Sequence, residues 1–135
     1  MPGPPMPTPD RSPTGERGSV TALAVVFPTL LLLVILTVNA AYWYHARSVA
    51  LAAARDGLTA ARLQGSSPAA GVAAATNYAR STGTGVLNNP LASAAGSTAT
   101  SVCITVTGSA PLLVPGFHPA VRQHACGPTE RVSVG

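Results

Sequence analysis

Residues 20–44 read VTALAVVFPTLLLLVILTVNAAYWY, and this stretch decides what kind of molecule the chain makes. No charged side chain occurs between Arg17 and Arg47. As a helix, about 25 residues at roughly 1.5 Å each form a rod of roughly 37 Å, enough to cross a hydrocarbon layer of about 30 Å with some tilt. Its centre, Leu30-Leu31-Leu32-Leu33-Val34-Ile35-Leu36, has no polar side, whereas a soluble amphipathic helix would show one. Tyr42, Trp43 and Tyr44, with His45 and Arg47 just beyond, have the composition of an interfacial belt closing the span. The alternative is a buried core helix, but the rest of the chain is too small and too polar to wrap one. A transmembrane helix over 19–45 is the expectation.

Upstream, residues 1–18 hold six prolines and three glycines, which predicts a disordered leader. Pro28 lies inside the span and removes one helix hydrogen bond there, a loss that membrane helices tolerate. Asn39 near the far end has two candidate partners, another helix or interfacial water.

Downstream, residues 45–64 read HARSVALAAARDGLTAARLQ, rich in good helix formers. The helix is therefore expected to run on outside the membrane over 46–65, making one rod from about 20 to 64. Val49, Ala52, Ala53, Asp56, Ala60 and Leu63 fall at three- and four-residue steps, a stripe of mostly small side chains. Either it packs closely on another surface or the segment is a solvated Ala-rich stalk. Gly57 weakens the helix; Gly65 with Ser66-Ser67-Pro68 ends it.

Residues 66–96 then read as a short helix and a loop. Ser67 is the N-cap, Pro68 opens the first turn, and Gly83 follows the end; Asn88-Asn89-Pro90 reads as a turn. Over 97–135 the pattern becomes strand-like. Val102, Ile104 and Val106 alternate with Cys103, Thr105 and Thr107, and 120–126 and 131–134 are expected as two strands or one interrupted strand, broken at Gly127-Pro128. The fold class is α+β and membrane-anchored: one long N-terminal transmembrane helix extending outside the membrane, a short second helix, and a small antiparallel β-sheet.

The chemistry-bearing residues are few. Cys103 and Cys126, if bridged, close a loop of about 24 residues, worth roughly 3 kcal/mol, and require an oxidising compartment. The competing use of Cys126 with His118 and His124 as metal ligands lacks the paired spacing of a structural zinc site. The acids are Asp10, Glu16, Asp56 and Glu130, with no phosphate loop, nucleophile elbow or acid pair, so neither an enzyme nor a cofactor is expected. Eight basic residues, all arginine, against four acids give a net charge of +4. They are scattered without a basic stripe, and aromatics are scarce, which argues against nucleic acid as a partner. Arginine counts flanking the span do not orient it; the cysteines and the strand-rich tail favour a cytoplasmic N-terminus and an extracytoplasmic C-terminal region.

The order of these pieces resembles the TadE-like family, pseudopilin-like minor components of the tight-adherence, Flp-type pilus and its secretion apparatus. The resemblance rests on Glu16-Arg17-Gly18-Ser19, Val20-Thr21-Ala22, Val25-Val26-Phe27-Pro28 ahead of the leucines, the aromatic exit, and Ala-Ala-Ala-Arg-Asp-Gly-Leu-Thr-Ala-Ala-Arg at 52–62. It spans about residues 17 to 65, with a weaker echo at 106–116 and 128–131. It implies a bitopic protein of the cytoplasmic membrane, inserted N-terminus inward, with lipid and other pilus-assembly proteins or pseudopilins as partners and no small-molecule substrate. It also implies processing by a prepilin peptidase between Gly18 and Ser19. One departure matters: the family commonly has Glu before a Phe in the first turn after the glycine, and this chain reads Ala22-Leu23-Ala24. In pilin-type assembly that carboxylate can neutralise a neighbour's amine within the membrane. Its loss favours a membrane-held minor or accessory subunit over a bulk filament subunit.

The function expected is thus structural, in assembly of a Flp/Tad-type pilus or an associated secretion apparatus. The alternative is a small secreted binding protein, released by signal-peptidase cleavage after Ala40 in Val38-Asn39-Ala40.

Overall fold

The structure, a computed structural model, describes residues 1–9, 14–63 and 66–130, without side-chain detail for 14–17. It falls into two compact units, Met1–Leu36 and Thr37–Gly135. One helix, α1 (Thr14–Arg62), contributes to both. Its continuity past the aromatic residues matches the expected rod. Its start does not, because Thr14–Gly18 were assigned to the leader. Pro13 is the last proline before the helix, so from Thr14 up to Phe27 each residue keeps its backbone N–H. Residues 1–9 form no helix or strand.

In the first unit the apolar side chains stand exposed on every side of α1; Leu30, Leu31, Leu32 and Leu33 are each at least 50% accessible. Pro28 sits inside the helix. The Thr29 hydroxyl donates to the Val25 carbonyl at 2.8 Å, next to the Ala24 carbonyl that the proline leaves without its helical donor.

In the second unit α1 turns to small residues. Ala46, Ala50, Ala53 and Ala54 are wholly buried, and Ala61 nearly so. The buried stripe is therefore not the expected one. Val49 and Ala53 belong to it, but Asp56 and Leu63 are exposed and Ala52 and Ala60 only half-buried. Gly57 sets the frame. A Cβ there would lie 2.6 Å from the Gly71 carbonyl oxygen and 2.7 Å from the Ala75 Cβ, while one on Gly71 would lie 2.6 Å from the Gly57 carbonyl. The two backbones touch, and only glycine permits it. The small-residue face is thus covered by the chain's own second helix, which decides between packing and a solvated stalk.

That helix, α2 (Pro68–Thr82), begins at the expected Pro68 and ends just before Gly83, two residues beyond Arg80, where the sequence pattern sets its end. The Ser67 hydroxyl accepts from the Ala70 N–H, Pro68 occupies the first turn, and the Gly83 N–H bonds the Ala79 carbonyl. Gly83 is needed for room rather than for a left-handed turn: its φ is −88°, and a Cβ would collide with the Ala79 carbonyl and press on Leu87 and Val49. Gly71, Ala75 and Ala79 form the buried stripe, one turn apart.

Three antiparallel strands follow in the order β1-β2-β3: β1 (Asn88–Ser93), β2 (Ser101–Ser109) and β3 (Ala120–Pro128). β1 corrects the assignment of 83–96 to helix end and loop. Asn89 takes φ 48°, the register slips between Asn88 and Leu91, and pairing resumes at Leu91↔Thr107. Asparagine tolerates that left-handed conformation and an edge strand tolerates Pro90, so a sequence that reads as a turn forms a bulged edge strand. β2 alternates as expected. Val102, Ile104 and Val106 are buried, and with Val121 of β3 they are the largest fully buried side chains. Ile104 lies beneath the helix contact, its methyls 3.1 Å from the positions of a Cβ on Gly57 or Gly71. β3 continues through Gly127-Pro128 rather than breaking there; the strand expected at 131–134 lies outside the described residues.

Candidate functional site

Two features organise the functional reading, one in each unit. In the first, α1 from Gly18 onward is long and apolar enough to cross a membrane, and none of its most apolar stretch is buried. Gly18 and Ser19, the candidate processing pair, lie within α1 and are exposed. Apart from the neighbouring helix backbone, no atom of the described residues lies within 4 Å of where a Cβ on Gly18 would sit.

In the second unit the helix leaves its apolar stretch through Tyr42, Trp43 and Tyr44, which are 42%, 37% and 70% accessible. Trp43 carries the Arg47 guanidinium over its ring at 4.8 Å, an i, i+4 cation–π pair. Tyr44 and Arg47 share a groove with Ser48, Leu51 and Gln123 of β3. The belt is thus fixed against the folded unit at one side and open at another.

Asn39 is the residue whose role the sequence left undecided. Its side chain is 9% accessible, and its Oδ1 accepts the Leu113 N–H at 2.9 Å. The partner is the β2–β3 loop of the same chain. A groove lined by Asn39, Ala40, Trp43, Leu112, Phe117 and Pro119 marks the same junction. The loop is closed at its base by the Ala110 N–H bonding the Pro119 carbonyl at 3.1 Å. No local pattern announces a contact between residues 74 positions apart; the one signal was an amide side chain inside an apolar run.

Cys103 and Cys126 are directly paired across β2 and β3 and joined as a disulfide, their Cα atoms 4.1 Å apart. The Cys103 N–H and carbonyl both bond the Ser97 hydroxyl, on the side away from β3. The cysteines therefore form a pair without mutual backbone bonds, the closer kind of antiparallel pair. Cys126, in the alternative metal set with His118 and His124, is committed to this bond; both histidines are exposed, His118 in the loop and His124 on β3. Among the described residues, no three His, Cys, Asp or Glu side chains gather as metal ligands would.

At the other end, Arg62 ties the last turn of α1 to the last residue of β3. Its Nε donates to the Pro128 carbonyl at 2.8 Å, and its Nη2 lies 3.7 Å from Glu130 Oε1. The exposed ion pair contributes little; the hydrogen bond from a charged donor holds the corner.

The arrangement defines a class: a single apolar helix long enough to span a bilayer, carrying a small α+β unit stapled by one disulfide. Within that class, residues 22–58 match the family model described as TadE-like protein. The match begins four residues after Gly18, ends one residue past Gly57, and lies within the stretch of about 17 to 65 on which the resemblance was read. None of the curated proteins and none of the solved structures matches the chain.

Proposed function

We propose that the chain is a single-pass membrane protein that serves, without catalysis, as a pseudopilin-like structural subunit in assembly of a Flp/Tad-type pilus or its secretion apparatus. The TadE-like match implies a protein associated with the Tad pilus, and it carries the proposal because it covers both the apolar and the small-residue portions of α1. The span sits in the cytoplasmic membrane, with the N-terminus inside and the disulfide-stapled unit outside, where the bond between Cys103 and Cys126 persists. The partners are lipid and neighbouring pilus-assembly proteins. Since no Glu stands in the first turn after Gly18, the subunit acts as a membrane-held minor or accessory component.

Retention of the anchor, against release after Ala40, is supported by Asn39. Cleavage there would remove the acceptor of the Leu113 N–H. The decisive experiment deletes the gene in its host and restores it in trans while filaments are counted by electron microscopy. Loss and recovery of piliation are expected; unchanged piliation in the deletion strain refutes the role. Intact mass of the native protein tests the anchor separately: a start at Met1 or Ser19 keeps the span, and a start at Ala41 removes it.

A further inference from the structure

We infer that the β2–β3 loop is a second membrane-contacting element, a preformed apolar wedge that enters the lipid interface beside the span. This rests on the membrane reading of α1 and adds a site that reading does not contain.

Between Pro111 and Pro119 the loop carries no charged residue, and Leu113, Val114 and Phe117 are 58%, 46% and 60% accessible. Such a cluster of large apolar side chains on a small unit needs an occupant. The hydrogen bond from the Leu113 N–H to Asn39 fixes its level. Asn39 precedes Tyr44 by five residues, so at about 1.5 Å per residue the loop's anchor point lies roughly 7.5 Å to the bilayer side of the belt's outer tyrosine. The loop therefore reaches back along the helix past the aromatic belt, to the depth where headgroups give way to acyl chains.

The wedge is built, not floppy. Its base is bonded from Ala110 to Pro119, the Phe117 N–H meets the Val114 carbonyl at 3.4 Å, and Gly116 takes the φ of 82° that the tip requires. Pro111, Pro115 and Pro119 lower the entropy lost on ordering it. Asn39 gains a second meaning: a polar side chain at this depth needs a partner, and the loop supplies one while lowering its own apolar tip beside it. Lipid is the favoured occupant because the groove under the loop is lined by Ala40 and Trp43, helix residues on the bilayer side of Tyr44.

The test uses the full chain in phosphatidylcholine vesicles whose acyl chains carry bromine, which quenches tryptophan by contact. Trp43 is the only native tryptophan and reports the span. In a Trp43→Phe background, Phe117→Trp is expected to be quenched at least half as strongly as Trp43 in the unaltered chain, with Leu113→Trp as a second probe. Leu91→Trp, on the exposed face of β1, is expected to remain unquenched. Quenching of Trp43 with none at either loop position overturns the wedge and leaves the anchor standing. Blue-shifted but unquenched emission at those positions overturns it in favour of a second protein copy over the loop. Equal quenching at position 91 overturns the assigned depth, and an unquenched Trp43 overturns the anchor and the wedge together.

Discussion

The two stretches of α1 invert the usual relation between size and burial. From Val20 to Leu36 the side chains are large and apolar, and nearly all are exposed; from Ala46 to Ala61 they are mostly small, and those facing the sheet and second helix are buried. In water the first stretch would be the core and the second the surface. The difference teaches that the two stretches answer to different solvents. On the proposed membrane reading, lipid replaces water around the first and bulk costs nothing. In the second, backbones must approach, and bulk is excluded.

Four experiments would break or sharpen that contrast. The largest effect belongs to the core beneath the helix contact. Ile104→Ala should destabilise the second unit by about 2–5 kcal/mol, while Leu31→Ala should leave its denaturation midpoint nearly unchanged; thermal unfolding in detergent followed by circular dichroism compares them. Next, the Cys103→Ser, Cys126→Ser double variant should lose roughly 3 kcal/mol in the same assay. A loss under about 1 kcal/mol would mean that helix packing alone holds the sheet.

Charge separates the stretches by solvent. Leu32→Arg should weaken membrane insertion by about 3 kcal/mol at the centre of the span. Thr59→Arg, exposed on the second stretch, should change unit stability by no more than about 0.5 kcal/mol. An insertion assay with a glycosylation reporter reads the first, and equal behaviour of the two would erase the distinction. The finest test uses glycine. Gly57→Ala gains about 1 kcal/mol in helix propensity, yet the Gly71 carbonyl cannot yield, so a net loss of about 1–3 kcal/mol is expected. Gly18→Ala meets nothing and should keep its small gain, measured as helicity in detergent.

Much of this fold was legible because it is written locally. The apolar run, the Ser67-Pro68 start and Gly83 stop of α2, and the alternation around Ile104 depend on neighbours a few residues apart. What escaped depends on distant partners. Gly57 read as a weakness in a helix, because its value lies in the Gly71 backbone across the contact. The buried frame of α1 was misplaced for the same reason, since steps of three and four allow several stripes and only the partner helix selects one. Asn88-Asn89-Pro90 carried turn chemistry and became an edge strand once β2 offered its ladder. At the candidate site the cysteine pair was readable, whereas the bond from Leu113 to Asn39 was not.

The bulge and Pro90 in β1 have a consequence for crowding. Were copies of this unit to gather at one assembly point, as the proposed role implies, a flat, fully hydrogen-bonding rim would invite neighbouring sheets to zip together irreversibly. A short rim bearing a proline and a register slip makes a poor template for such fusion.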